Sequence, residues 1–378
     1  MKSIGIIAEY NPFTNGHLYH LNKIKEKYKD YTIILVMNGH FSQRGTPSII
    51  NKFKRTEIAI KLGIDLVIEL PYPFATQSAD FFAYGAITIL EHLKVEKIVF
   101  GSESDNINDL ELIAKTQINN DELDKLVGIY SKLGYNYPTA LSNSIFDLTN
   151  KKITTPNDLL GVSYIKVILN NNYNIKYETI KRTNDYHQSI ESATQIRELL
   201  KNKKDVKDYI PEIELEYLNN LHFNDDYFNI LKYKIITEKD LSIYQTVDEG
   251  IDKLLKKEIN NASSIDELIQ LVKSKRYTYN KISRMLNHIL CNFTKEKAEK
   301  FKQIKYIRIL GLNIKGRNYL NKIKKDIDIP IISKLLREKD EMLDYELETT
   351  KIYDILSNEN LLKRECEKII YIGDEIND

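Results

Sequence analysis

Four short, nearly continuous apolar runs set the plan of the first half of the chain: residues 4–8 (IGIIA), 32–37 (TIILVM), 66–70 (LVIEL) and 97–100 (KIVF). Between them, residues 18–29, 52–62 and 78–93 repeat apolar side chains at helical spacing. Strands that are apolar on both faces, alternating with helices, predict a parallel sheet covered on both sides. Residues 106–133 and 158–170 read as further helices, 177–181 as a short strand and 193–201 as another helix. Beyond about residue 205 the strand signals fade, and 215–221, 227–236, 248–259, 265–274 and 279–292 all carry helical periodicity. Residues 304–310, followed by Gly311, Gly316 and Pro330, leave strand and loop both open. A length of 378 residues exceeds one small core. The pattern predicts an α/β domain over 1–204 and a mainly helical domain over 205–378, with KNKKDVK at 201–207 as the boundary.

The end of the first strand carries the first chemistry. Residues 4–20 read IGIIAEYNPFTNGHLYH: a buried strand, a loop through Asn11-Pro12-Phe13, then Thr14-Asn15-Gly16-His17 at the mouth of a helix. Helix N-termini present free N–H groups and a partial positive charge, which suits nucleotide phosphates. Gly16 allows close approach, and His17 can offer a phosphate oxygen either a hydrogen bond or a full charge. A plain strand–turn–helix with packed histidines is the competing reading. The position at the first βα turn favours a ligand site, because open α/β sheets bind at the carboxyl ends of their strands.

Composition adds bounds. No apolar run is long enough to span a membrane, and Cys291 and Cys366 lack metal-site or disulfide spacing, so a cytoplasmic location is expected. The net charge of +1 hides an asymmetry: residues 273–325 hold 16 Lys and Arg against two acids, whereas 326–378 hold 7 against 15. A basic block of that kind predicts a polyanionic partner. Pairing with the acidic tail is the alternative.

A second loop, Ser192-Ala193-Thr194-Gln195-Ile196-Arg197, opens the helix at 193–201. Ser192 or Thr194 can cap it, and a hydroxyl with an arginine at such an end can clamp a triphosphate. An early T-x-G-H loop with a late S-x-T-x-I-R loop resembles the HIGH-type nucleotidyltransferase superfamily. GHFSQRGTPSIINKFKRTEIA (39–59), DLVIELPYPFATQSADFFAYGA (65–86), FGSES (100–104), TPNDLLGVSYIK (155–166), IKRTNDYHQ (180–188), KRYTYNKISRML (275–286) and YIRILGLNIKGR (306–317) extend the likeness in order over nearly the whole chain. Together they resemble one bacterial family, the tRNA(Met) cytidine acetate ligases.

That resemblance implies a Rossmann-like sheet and an enzyme that activates acetate with ATP as acetyl-adenylate. It further implies transfer of the acetyl group to N4 of the wobble cytidine of elongator tRNA(Met), giving N4-acetylcytidine. It carries the ATP site onto Ile7, Ala8, Glu9, Tyr10, Asn11, Pro12, Phe13, Thr14, Asn15, Gly16, His17 and His20, and onto Gly101, Asn157 and Arg182. Thr194 and Arg197 join them from the second loop, and Mg²⁺ is expected as the ATP complex. Thr14 stands where the family usually has His. It can donate one hydrogen bond to phosphate but carries no charge, so more of the chemistry falls to His17, Arg197 and Mg²⁺. His20, one turn beyond His17, either assists or packs.

The loop holding His40, Gln43 and Arg44, followed by Lys52, Lys54 and Arg55, is expected near the tRNA or the pyrophosphate, with a solvated helix face as the alternative for the lysines. Asp65, Glu69 and Asp80 are open to a metal or amine role, or to capping and pairing. Lys275, Arg276, Lys281, Arg284, Arg308, Lys315 and Arg317, interleaved with Tyr277, Tyr279 and Tyr306, form the expected tRNA surface. Two other functions stay open: a nucleotidyltransferase acting on a small cofactor precursor, and a non-catalytic RNA-binding protein with a relic nucleotide fold. The acetate pocket and the oligomeric state are not read from the sequence.

Overall fold

The computed structural model describes residues 2–182, 192–335 and 340–373. Its centre is an eight-stranded sheet. The strands are β1 (Ser3–Ile7), β2 (Thr32–Asn38), β3 (Leu66–Leu70), β4 (Lys97–Ser102), β5 (Lys176–Lys181), β6 (Ile307–Asn313), β7 (Ile331–Ile332) and β8 (Ile370–Ile372). Their order is β5-β4-β1-β2-β3-β6-β7, with β8 also on β6. β1 runs parallel to β2 from Ser3↔Thr32 to Ile7↔Val36, and β2 parallel to β3. β4 runs parallel to both β1 and β5. Every residue of β2 and β3 is buried, as continuous apolar strands require. Each enclosed Ile, Leu or Val stabilises the fold by about 1.5–3 kcal/mol relative to exposure, so helices must cover both faces. The expected Rossmann-like α/β architecture is present.

The chain runs outward from β1 through β2 to β3, then returns to the other side of β1 for β4 and β5. Strand order therefore reverses between β1 and β4, and a crevice opens at their carboxyl ends. The segment that ends β1 and the turn that follows β4 face each other there.

The expected boundary after residue 204 does not divide the sheet. β6 pairs antiparallel with β3, from Leu66↔Leu312 to Glu69↔Arg308, and brings β7 and β8 with it. One apolar core runs from Ile4 to Leu361. The open choice at 304–310 is thus resolved as strand. Helix Tyr137–Thr149 and the long helix Glu341–Ser357 carry no label in the sequence reading. Residues 215–221, expected as a helix, form only the end of a single turn, Glu212–Leu215, followed by turns and bends.

A buried charge cluster fixes the C-terminal elements to the sheet. Lys52 Nζ lies 2.6 Å from both Glu69 Oε1 and Glu365 Oε1, and Arg308 Nη2 lies 3.2 Å from Glu365 Oε2. Glu346 Oε1 accepts a hydrogen bond from Tyr72 N at 2.6 Å. Lys52 is 0% exposed and Arg308 3%. Neither is a solvated cation, which corrects both expectations for Lys52 and the surface role for Arg308. Burying such charges is tolerable only because each meets an opposite partner.

Candidate active site

Thr14 begins the site as the N-cap of helix Asn15–Lys27. Its Oγ1 accepts from His17 N at 3.3 Å. In return Thr14 N donates to His17 Nδ1 at 3.0 Å, completing a capping box. That reciprocal bond decides the chemistry of the imidazole. With Nδ1 an acceptor, the proton of the neutral ring sits on Nε2. Burial, then the nearby charges of Arg182 and His20, push the His17 pKa down to about 3. His17 is therefore placed as a neutral Nε2–H donor near pH 7. Thr14 is itself buried, and its hydroxyl serves the helix cap. His20 is pushed down to about 4 by burial and Arg182, and its Nε2 is buried without a partner among the described residues.

Arg182 follows β5 and is close enough to depress both histidines. Its backbone N donates to Ser102 O at 2.8 Å, which sets its stem across the end of β4. A Cβ on Gly101 would stand 3.3 Å from Arg182 Cγ, so glycine there lets the arginine lie close over the strand end. Glu103 reaches Arg182 Nε at 4.0 Å and accepts from Asn157 Nδ2 at 2.6 Å. Asp158 gathers Ser102 Oγ, Ser104 N and Thr155 Oγ1 at 2.5, 3.0 and 2.8 Å. Gly101, Asn157 and Arg182 thus share one wall, knitted by two carboxylates that the sequence reading did not single out. Residues 183–191, which include most of IKRTNDYHQ, lie outside the described residues.

The opposite wall comes from the second loop. Ser192 caps helix Ala193–Lys201 in a capping box with Gln195. Arg197 lies one turn in, its Nη1 donating to Asn11 O at 2.7 Å and its Nη2 to Thr194 Oγ1 at 3.0 Å. Asn15 ties the first helix to the same unit, through Asn15 N to Tyr209 O at 2.9 Å and Asn15 Nδ2 to Asp208 O at 3.0 Å. Beside them Gln43 N donates to Glu9 Oε1 at 2.6 Å. His17 and Arg197 therefore flank one loop, residues 9–14, at the mouth of the crevice.

The comparisons with known proteins bear on the family and the fold. The family described as HIGH Nucleotidyl Transferase covers residues 1–368. A Geobacillus sp. (strain WCH70) protein named tRNA(Met) cytidine acetate ligase is 40% identical over 358 residues, 89% of each chain. Its Bacillus subtilis (strain 168) counterpart is 34% identical over 389 residues, 96% of this chain and 94% of the other. The chain belongs to the tRNA(Met) cytidine acetate ligase family of HIGH nucleotidyltransferases. A crystal structure of Thermotoga maritima TmcAL bound with alpha-thio ATP superimposes with a TM-score of 0.88 at 32% identity, covering 99% of this chain and 100% of that one. The apo form gives 0.89.

The basic residues of this family member do not form one continuous surface. Arg276 is 72% exposed and pairs with Glu249 at 2.5 Å. Asn136 Nδ2 donates to Lys275 O at 3.3 Å, and Lys281 lies over the Tyr277 ring. Arg284 is half-buried and, among the described residues, has no ion pair or side-chain hydrogen bond. Burial alone lowers its pKa. Lys297 instead pairs with Glu348, at 2.8 Å, as the acidic-tail alternative anticipates. Lys315 Nζ meets Tyr31 O at 2.7 Å and Asp65 Oδ2 at 3.6 Å. Asp65 precedes β3 and also accepts from Ile33 N, so Lys315 and its neighbour Arg317 sit at the amino ends of the parallel strands. Strands of five to seven residues separate them from the crevice by about 15–20 Å. Among the described residues no helix is long and apolar enough to cross a membrane.

Two further residues brace the loop. Arg55, fully buried, donates to Glu9 O at 2.6 Å and Asn38 Oδ1 at 3.0 Å, so it supports the loop from inside. Glu214 Oε1 accepts from Phe13 N at 3.3 Å. Burial raises the Glu214 pKa to about 8, against the opposing pull of Phe13 N–H and Arg55. An acid with a raised folded pKa contributes stability that is whole below its unfolded value near 4.5 and is lost as pH rises through 8. Glu214→Gln is expected to gain on the wild type in melting temperature steadily between pH 5 and 8. Parallel thermal unfolding curves across that range check it. No motif marks Glu214 in the sequence.

Proposed function

We propose that the protein activates acetate with ATP as acetyl-adenylate, releasing pyrophosphate, and transfers the acetyl group to N4 of the wobble cytidine of elongator tRNA(Met). The observation that supports this reading is that the His17 ring is bound to Thr14 N and the Arg197 guanidinium to Asn11 O, both on the loop where strand order reverses, in a chain of this family. An acetate oxygen attacks the α-phosphorus, and the bond from that phosphorus to the bridging oxygen breaks. The cytidine amine then attacks the acetyl carbonyl, loses a proton, and AMP departs. Acetyl-CoA has no part in the scheme.

Each wall has a role. Gly101, Asn157 and the strand ends receive the nucleoside, Asn157 through its remaining amide capacity. His17 Nε2–H donates to the α-phosphate as its charge builds, Arg182 supplies a fixed positive charge near it, and Arg197 draws the leaving pyrophosphate. Mg²⁺ would enter as the ATP complex and offset the charge of its phosphates. The anticodon loop docks on the helical part near Lys275, Arg276, Lys281 and Arg284, with Arg284, which has no ion pair among the described residues, facing the polyanion. In this reading residues 1–204 carry the ATP site and 205–378 the tRNA surface, over a shared sheet.

ATP–pyrophosphate exchange tests the reading. Exchange that requires acetate and no RNA is expected. Exchange independent of acetate would favour a nucleotidyltransferase of small precursors, and tRNA binding without any exchange would favour a non-catalytic RNA-binding protein.

A further inference from the structure

We propose that Arg44 is a ligand for the triphosphate of ATP, the second guanidinium of a pair completed by Arg197; this rests on the ATP site proposed above. The sequence leaves the loop at 39–45 between two partners, tRNA and pyrophosphate, and the geometry favours the second. Gln43 N is bound to Glu9 Oε1 at 2.6 Å, and Gln43 Nε2 donates to Gln77 O at 2.9 Å. The backbone that carries Arg44 is therefore fixed directly against residue 9. Arg197 is fixed to Asn11 O, two residues further along the same loop. The two guanidiniums thus rise from either side of one three-residue stretch.

The loop is held from its other flank as well. Gly45 has φ +80°, and a Cβ there would stand 2.5 Å from Arg284 Cα. Ser283 Oγ donates to Gly45 O at 3.3 Å. With its backbone held on both sides, Arg44 presents only its side chain, which is exposed.

Arg44 lies close enough to Arg197 to weaken that residue's hold on its proton, after the larger effect of burial. Glu9 and Glu198 act on Arg197 in the opposite sense, and Glu9 is already engaged by Gln43 N–H. Among the described residues neither arginine forms an ion pair within 4.0 Å. Two like charges held near one another without a close ion pair suit an anion between them, and a fork of two guanidiniums matches phosphate oxygens.

The test compares ATP with AMP, in the absence of RNA, by calorimetry on the full chain. Arg44→Ala is expected to weaken ATP binding about ten- to a hundredfold and to leave AMP within twofold, with Arg44→Lys recovering part of the loss. A merely structural role would move both nucleotides together. Unchanged ATP affinity in Arg44→Ala overturns the proposal, and if a parallel filter-binding measurement with elongator tRNA(Met) then shows the only loss, the residue belongs to RNA instead. The ligase reading is judged separately by acetate-dependent exchange, so either can fail alone.

Discussion

His17→Ala is expected to lower acetate-dependent ATP–pyrophosphate exchange by about 10²–10³-fold, the usual cost of deleting one donor aimed at developing transition-state charge, while tRNA affinity stays within twofold. The reasoning starts from Thr14 N, which donates to Nδ1 and so leaves the only ring proton on Nε2. Alanine removes that proton, and it also removes the acceptor that satisfies Thr14 N at the helix start. Because burial and Arg182 hold the ring neutral at pH 7, the lost group is a dipolar donor and not a net charge, so long-range attraction of RNA should not change. Filter binding of elongator tRNA(Met), run beside the exchange assay, checks both halves. A comparable fall in tRNA affinity would contradict the assignment of His17 to the chemical step.

Reversing Arg276 and Arg284 together to glutamate should give the opposite pattern. Two charge-assisted contacts at about 1.5 kcal/mol each amount to roughly a hundredfold in tRNA affinity. The slope of log affinity against log salt should fall by about 2, as two fewer counterions are released. Exchange without RNA should be retained. Arg284 is the more telling of the two, because it is half-buried without an ion pair among the described residues, whereas Arg276 already has Glu249. The same reversal at Lys315 and Arg317 is expected to do far less, since those residues lie at the other edge of the sheet.

The sequence made the first five strands and the loop at 9–17 legible, because continuous apolar runs and cap residues are local signals. It left β6 undecided. Residues 307–313 are apolar in context but become a strand only by pairing antiparallel with β3, a contact some 240 residues away in the chain. For the same reason the basic block misled in part. Charge counting cannot separate Arg284, which has no ion pair among the described residues, from Arg308, which is buried against Glu365, or from Lys315, which is held by Asp65. Lys52 carries the same lesson: a cation expected near tRNA or pyrophosphate, or on a solvated helix face, proves to be the centre of an internal cluster with Glu69 and Glu365. Glu103 and Asp158 were also out of reach, since their role lies in tying the end of β4 to helix Pro156–Asn170. The pairing of Thr14 N with His17 Nδ1 needed atomic geometry as well, although T-x-x-H at a helix start is legible as a capping pattern.

The most direct test of the account follows the oxygen atoms of acetate. The protein is incubated with ATP, oxygen-18 acetate and elongator tRNA(Met), and AMP, phosphate and the digested nucleosides are analysed by mass spectrometry. Attack of acetate on the α-phosphorus within the His17–Arg197 crevice is expected to leave one heavy oxygen in AMP for each acetylcytidine formed. Heavy oxygen in inorganic phosphate, or acetylcytidine formed with unlabelled AMP, would contradict it.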